Sequence, residues 1–324
     1  MYKPIATLLG ITFVLIVLLP AGIVGLFPKK DLSVQILDDS ADVMKVKVYL
    51  KESKKTIEIP LEEYVKGVAA SEMPVTFEME ALKAQAIVAR TNVIRRVENN
   101  LLTPEGGHVT DDFREFQAYS SNEKLKQIWG ASYEQNMKKI VQAVKETKGQ
   151  ILVYQGKAIE ALFFSTSNGL TENSLDYWGK EVPYLSSVPS PWDKQAPRSI
   201  NTKTISLKDL FKLFNLTTAV SYADQGQIIQ VLETSSTNRV KKIRVGDKVM
   251  SGAEFRKVLG LNSTDFSWSI EGNSITFTTR GFGHGVGMSQ YGAEGMAKEG
   301  KKAFDILTYF YKGATIVNYE KEKR

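Results

Sequence analysis

The sequence of 324 residues contains no cysteine and only 2 histidines. Without cysteine, disulfide bonds and any metal site built on thiolates are excluded. The chain also has no long run of lysine or arginine, no zinc-finger spacing and no aromatic RNA-binding signature, although its formal net charge is +6. This basic balance indicates an anionic neighbour such as a cell wall or a membrane surface, and we predict no nucleic-acid partner.

An uncharged segment near the start of the chain is long enough to cross a bilayer. Residues 4–27 contain no Asp, Glu, Lys or Arg, and a membrane-spanning helix needs about 20 apolar residues. We predict a transmembrane anchor over residues 1–28. The alternative is a cleaved signal peptide, whose apolar region is normally about 7–15 residues long. Lys3 precedes the segment and Lys29 and Lys30 follow it, so the positive charges do not favour an external location for the rest of the chain.

One acidic residue, Glu72, lies in the short sequence "SEMP" between two segments of helical periodicity. Apolar residues recur at helical spacing from Leu61 to Val68, which predicts a short helix before the acid. Pro74 fixes its own backbone and disfavours helical geometry at Met73. The Glu72 carboxylate is therefore predicted to lie on a stiff connection between two helices.

The next segment, "FEMEALKAQAIVARTN", predicts a helix with a buried stripe of mostly small residues. Lys83 and Arg90 are seven positions apart and share another face, with Gln85 near its edge. A cationic face beside a constrained carboxylate is typical of a site for a polar substrate. Periodicity alone favours the alternative, a solvated helix face preceded by an acidic helix start.

Three separated blocks of the sequence resemble one known family. "ASEMP" with the following helix is the first, "FFSTSNGLTENSLDYWG" at 163–179 with "VPYLSSVPSPWD" behind it is the second, and "GFGHGVGMSQYGAEGMA" at 281–297 is the third. In this order they resemble the stage II sporulation protein D family, whose domain also occurs in proteins called amidase enhancers. The resemblance covers roughly residues 40–195 and 280–317.

The resemblance implies a lytic transglycosylase that cleaves peptide-free peptidoglycan strands during engulfment of the developing spore, with Glu72 as its catalytic acid. Glycoside hydrolases usually need two carboxylates. In a lytic transglycosylase the substrate's own C6 hydroxyl is the nucleophile, so one Glu can act as acid and then base, leaving a 1,6-anhydromuramoyl end. Such an acid needs a pKa raised by burial. Because an ion pair with Lys83 or Arg90 would lower that pKa, we expect these two residues to face the sugar or to hold other carboxylates.

The other candidate residues lie mainly in the second and third blocks. A hydroxyl and an amide after a short apolar strand, at Ser165 and Asn168, suit hydrogen bonding to sugar hydroxyls, and a plain hairpin turn at Asn-Gly is the alternative. The glycines around His284 do not have the G-x-G-x-x-G spacing of a dinucleotide loop. We interpret them as positions of tight turning near a ligand. The predicted substrate-binding residues are Lys83, Gln85, Arg90, Tyr119, Ser165, Asn168, His284, Gln290 and Tyr291.

No metal ion or other cofactor is predicted. Some members of the family hold zinc with one His and two Cys after the catalytic helix. In this sequence His108 is followed by Asp111, Asp112 and Phe116 rather than by thiolates, so the zinc site is not carried over.

Between the second and third blocks, segments of strand and helix periodicity contain no catalytic cluster. We therefore predict an α+β protein with an anchor at 1–28, a catalytic body at 29–197 and 281–324, and an inserted α+β subdomain at 198–280.

The resemblance also implies partners and a location. The expected partners are peptidoglycan glycan strands, the membrane, and the stage II sporulation proteins P and M. The expected location is the cell membrane, with one span and the body facing the wall in the intermembrane space of the sporangium. The alternative function is a non-catalytic wall-binding scaffold that stimulates a partner amidase.

Overall fold

Helices and short strands occur together, often in runs of one kind, along residues 44–216 and 228–319, the parts of the chain that the computed structural model describes. This mixture confirms the α+β prediction. The predicted anchor at 1–28 lies outside these ranges. Within them, no helix combines the length and the apolar character needed to span a bilayer.

The elements are numbered in chain order. The strands are β1 (Lys45–Leu50), β2 (Lys55–Pro60), β3 (Val109–Thr110), β4 (Gln150–Tyr154), β5 (Lys157–Ala158), β6 (Phe163–Phe164), β7 (Ile200–Ser206), β8 (Ile229–Thr234), β9 (Val240–Val245), β10 (Lys248–Ser251), β11 (Phe266–Glu271), β12 (Ser274–Arg280), β13 (Met288–Ser289) and β14 (Thr315–Asn318). The helices are α1 (Leu61–Glu72), α2 (Met79–Glu98), α3 (Asn122–Trp129), α4 (Tyr133–Glu146), α5 (Ser174–Trp178), α6 (Leu207–Leu213), α7 (Gly252–Leu259), α8 (Gln290–Lys298) and α9 (Ala303–Phe310).

The first hairpin leads directly into α1. β1 and β2 pair antiparallel, and Val46 and Val48 point into the core while Lys45 and Lys47 are exposed, as their alternation predicts. β3 adds to β1 in parallel. Pro60 ends β2 and is the N-cap of α1, which begins at Leu61. Because the N–H groups at the start of a helix have no partner within it, the N–H that proline lacks costs the helix no bond. The predicted helix from Leu61 is confirmed.

Helix α2 is the centre of the core. It packs against α1, α4, α8, α9 and β4. Its predicted stripe of Leu82, Ala86, Ala89 and Val93 has no exposed surface. Because most of these side chains are small, neighbouring elements approach the helix axis closely, and α2 is covered on most of its circumference.

Two long-range strand pairs join distant parts of the sequence. β6 pairs in parallel with β13, which brings the second and third blocks together. The alternative of a plain hairpin at Asn168 is therefore wrong, since the partner of β6 is a distant strand. β14 pairs antiparallel with β4, and α9 packs against α2, so the last helix and strand return to the first core.

The described residues 200–216 and 228–280 build two three-stranded sheets, with strand orders β10-β9-β8 and β11-β12-β7. They share a hydrophobic cluster in which the ring of Phe255 stacks on Phe214 and Phe266, with centroids 5.3 and 5.1 Å apart. β8 pairs with β9, and β11 pairs with β12, both antiparallel. Helix α7 is preceded by Ser251, which forms a capping box with Glu254.

Candidate active site

Glu72 is the last residue of α1 and begins a rigid corner. Met73 follows in extended geometry, with φ −124° and ψ 135°, because the residue before a proline avoids helical angles. The Met73 side chain is 2% exposed and fixes the corner to the core. The structure therefore places the carboxylate on the stiff connection between α1 and α2 that the sequence predicts.

The Glu72 carboxyl is half-buried and accepts one hydrogen bond. The backbone N–H of Ala118 donates to Glu72 Oε1 at 2.5 Å. Burial raises the pKa of Glu72 to about 7, and the Ala118 hydrogen bond opposes this shift. The negative end of the α1 dipole also disfavours a carboxylate at this position. At neutral pH the Glu72 carboxyl is therefore partly protonated, as a general acid must be.

The loop that carries Ala118 is held by its neighbours. The Gln117 amide donates to the buried Tyr64 hydroxyl at 3.4 Å, and the Tyr119 ring stacks on Tyr64 with centroids 5.5 Å apart. Gly67 permits this approach, because a Cβ there would lie 2.5 Å from the Tyr119 ring. Tyr119, a predicted site residue, therefore lies beside the donor to Glu72.

Gln290 and Gln85 meet the Glu72 corner from two other helices. Gln290 Nε2 donates to the Glu72 carbonyl at 2.8 Å and to Gln85 Oε1 at 3.4 Å. Both amides are buried. The structure brings these two predicted residues together beside Glu72, but only Gln290 bonds to Glu72, through the backbone carbonyl rather than the carboxyl.

Ser165, which follows β6, lies next to Tyr291 in the first turn of α8. The Tyr291 N–H donates to the Ser165 carbonyl at 3.1 Å. The Tyr291 ring packs edge-on against Phe77, just after the Met-Pro corner, with centroids 5.0 Å apart. These contacts join the parallel β6–β13 pair to the segment that follows Glu72.

Lys83 and Arg90 hold other carboxylates, which is one of the two placements expected for them. Lys83 pairs with Glu80 at 2.9 Å and also with Glu146. Arg90 has no exposed surface and donates to both oxygens of Glu62, at 2.8 and 2.6 Å. Because its guanidinium is closed off from solvent, Arg90 lies where a glycan does not reach.

Asn168 forms hydrogen bonds with residues that lie between β8 and β12. Its amide donates to the Thr237 carbonyl at 2.8 Å and to Asp265 Oδ2 at 2.7 Å. Close by, Glu172 Oε2 accepts hydrogen bonds from the hydroxyls of Ser235 at 2.6 Å and Thr237 at 2.7 Å. These contacts give Asn168 structural partners in the segment between β8 and β12.

His284 lies near the same junction and is neutral at physiological pH. Burial is the main cause that lowers its pKa to about 4, and the nearby Arg256 guanidinium contributes to this shift. Its Nδ1 accepts from the Val286 N–H at 3.1 Å, and its ring packs against Phe164 with centroids 5.7 Å apart. Among the described residues, no hydrogen bond links His284 to Glu72.

Sequence reasoning missed two elements of the site. The Ala118 N–H is a backbone group, which no residue type reveals. Asp193 is fully buried and accepts hydrogen bonds from Ser289 at 2.7 Å and Ser167 at 2.5 Å, which ties the second and third blocks together. Burial raises the pKa of Asp193. The feature of the sequence that could have indicated Asp193 is an acid at the end of the proline-containing "VPSPWD" segment.

The residues weighed for zinc have other partners. His108 Nδ1 accepts from the Lys47 N–H at 3.1 Å, and Asp111 Oδ1 accepts from the Lys51 N–H at 3.0 Å. In residues 44–216 and 228–319 no three His, Cys, Asp or Glu side chains form a group that could hold a metal ion.

Comparison with known proteins identifies the family. The profile of a family described as "Stage II sporulation protein" matches residues 49–154. Stage II sporulation protein D of Bacillus amyloliquefaciens is 48% identical over 272 residues, which cover 84% of this chain and 78% of the relative. The protein of the same name from Bacillus subtilis (strain 168) is 47% identical over 277 residues, covering 85% of this chain and 80% of the relative. The chain belongs to the stage II sporulation protein D family.

A more distant relative carries a different name. The "Amidase enhancer" of Bacillus subtilis (strain 168) is 29% identical over 306 residues, which cover 79% of this chain and 40% of the enhancer. The resemblance of the three sequence blocks to a family that includes such proteins is therefore confirmed.

Proposed function

We propose that this chain is a lytic transglycosylase that cleaves peptide-free peptidoglycan strands during sporulation, with Glu72 as acid and base. The observation that carries the proposal is the Glu72 carboxyl itself. It is half-buried on a rigid corner, and burial raises its pKa to about 7. A carboxyl with this pKa is partly protonated at neutral pH and can donate its proton to a leaving oxygen.

The proposed reaction needs no water. Protonated Glu72 gives its proton to the glycosidic oxygen, and the bond from that oxygen to C1 of the muramoyl sugar breaks. The resulting carboxylate then takes the proton of the C6 hydroxyl, whose oxygen forms a bond to C1. The products are a free hydroxyl on the leaving sugar and a 1,6-anhydro ring. The Ala118 N–H, 2.5 Å from Glu72 Oε1, stabilises the carboxylate between the two proton transfers.

A one-acid mechanism fits the surroundings of Glu72. Among the described residues, no other carboxylate contributes to the shift in its pKa. Glycoside hydrolases place two carboxyl groups about 5–9.5 Å apart, a separation at which charges influence each other. A mechanism in which the substrate supplies the nucleophile needs no such second carboxylate.

We also propose that the chain acts at the cell membrane of the sporangium, anchored by residues 1–28, with its body towards the wall. In this proposal the stage II sporulation proteins P and M are its partners. Membership of the family supports both statements, and the net charge of +6 suits an acidic wall or membrane surface.

The second candidate function is a wall-binding scaffold that stimulates an amidase and cuts no glycan. The similarity to the amidase enhancer favours it. A scaffold needs only an intact surface, so it tolerates the loss of a single carboxylate.

The deciding experiment is mass spectrometry of the products formed from peptide-free glycan. The full-length chain, its Glu72→Gln variant and a control variant, Glu58→Gln at an exposed ion pair, are compared. Anhydro-ended products from wild type and control alone support the proposal. Reducing-end products indicate hydrolysis and contradict it. If none of the three proteins cleaves but all bind glycan, the scaffold is the better description.

A further inference from the structure

A polar groove lies beside the Glu72 corner. It has a volume of about 330 Å³. Val75 and Thr76, just after the Met-Pro corner, form one wall, and the other wall is a face of α4 with three amide side chains and the lysines Lys138 and Lys139. Amides offer both donors and acceptors, which suits the hydroxyl and N-acetyl groups of sugars.

The groove is close enough to Glu72 to take part of the same ligand. Val75 follows Glu72 by three residues, and an extended chain advances at most about 3.6 Å per residue. The Cα atoms of the two residues are therefore no more than about 11 Å apart. A glycan with one linkage at Glu72 brings a neighbouring sugar within reach of the groove.

The two lysines of the groove are available to an anion. No Asp or Glu of the described residues forms an ion pair with Lys138 or Lys139. Lys138 is exposed, and Lys139 donates to the Phe77 carbonyl at 2.5 Å. Since an ammonium group has three donors, Lys139 keeps others free. Lys83, in contrast, is neutralised by two carboxylates.

We propose that this groove binds the lactyl carboxylate of a muramic acid residue next to the cleaved linkage. Lys138 is the residue that selects for this anion. The inference rests on the proposed function, because it specifies how peptide-free strands are chosen. When the stem peptide is removed from muramic acid, the lactyl group ends in a carboxylate. In an intact strand the same position is an uncharged amide. Selection for peptide-free strands is thus a charge match as well as an effect of size.

The test measures binding without cleavage. The full-length chain carries Glu72→Gln in every arm, and its dissociation constant is measured for peptide-free glycan and for the same glycan with its lactyl carboxylates converted to carboxamides. We expect the carboxylate form to bind about three- to tenfold more tightly, with a preference that weakens as salt is added. Adding Lys138→Gln removes most of this preference. The matched control, Lys145→Gln, changes an exposed lysine of the same helix outside the groove and keeps it.

Three outcomes would overturn the inference. They are equal affinity for the two glycans, equal loss of preference in the Lys138 and Lys145 variants, and tighter binding to poly(glycerol phosphate) than to peptide-free glycan. The last result would assign the groove to a phosphate polymer. Because Glu72 is replaced throughout, the result does not depend on catalysis, and the product analysis tests the proposed function separately.

Discussion

The two ends of α1 carry acidic side chains in opposite surroundings. Glu62, in the first turn, is 4% exposed and receives two hydrogen bonds from the buried Arg90. Glu72, at the last position, receives one hydrogen bond from a neutral backbone N–H. The dipole of the helix favours a negative charge at the first end and disfavours it at the second.

This difference separates a structural acid from a candidate catalytic one. Burial reduces the contact of both carboxyl groups with water, so the partner of each group decides whether the charged form is stabilised. The Arg90 guanidinium lies beside Glu62 and forms an ion pair with its carboxylate. Asp193 shows an intermediate case: burial raises its pKa, but the Ser167 and Ser289 hydroxyls occupy its oxygens. Of these acids, Glu72 has the least satisfied carboxyl.

The largest expected effect comes from removing the cation at the Glu62 end. Arg90→Met leaves a buried carboxylate without its partner, which should lower the free energy of unfolding by about 3–5 kcal/mol. Urea unfolding of the full chain measures this. Arg114→Met, at an exposed ion pair with Asp112, is the control and should change stability little. If the two variants lose the same free energy of unfolding, Arg90 is not the buried partner that stabilises the Glu62 end of α1.

At the Glu72 end, removing the charge should stabilise the protein. The pKa of Glu72 is about 7 in the folded chain against 4.5 for the reference carboxyl, so the folded state holds the proton more tightly. The contribution of Glu72 to the free energy of unfolding is fully present below pH 4.5 and is lost as the pH rises through about 7. At about pH 8, Glu72→Gln should therefore be more stable than wild type by up to about 3 kcal/mol. Melting curves of both proteins across this pH range should diverge as the pH rises.

The pH dependence of cleavage should follow the same group. Because the reaction starts from protonated Glu72, the rate should fall about tenfold per pH unit above the pKa of about 7. Initial rates of anhydro-product release, measured from about pH 6 to about pH 9, test this. A rate that keeps rising through this range would remove Glu72 from the role of acid.

A smaller effect is expected at the contact behind the corner. Gln290→Met keeps a similar shape but removes the donor to the Glu72 carbonyl, which should lower stability by about 1 kcal/mol and slow cleavage severalfold. The comparison variant is Gln230→Met, at an exposed amide that accepts from Arg244. If the two variants cleave at the same rate, the Gln290 contact does not position Glu72.

The sequence predicted those features that depend on local geometry. Met73-Pro74 is sufficient to end α1 at the acid, and the alternation in β1 is sufficient to orient its side chains. The common face of Lys83 and Arg90 follows from helical spacing, but spacing does not say what covers that face. Its surroundings depend on Glu62 and Glu146, which come from two other helices.

The donor to Glu72 was beyond prediction for a similar reason. Ala118 lies 46 positions further along the chain and contributes only its backbone N–H. Its position depends on Tyr119 packing over Gly67, a contact between residues with no shared periodicity. The three matching blocks indicated which segments meet, whereas the atoms that meet required the structure.

The contacts of Asn168 and Glu172 with the inserted segment affect how this family can be re-engineered. Thr237 accepts from Asn168 through its carbonyl and donates to Glu172 through its hydroxyl, so one residue of the insertion satisfies two polar groups of the body. Cutting out residues 198–280 and closing the gap would leave a buried carboxylate and an amide without these partners. Exchange of this segment between homologues should therefore succeed only when the residues that receive it are transplanted with it.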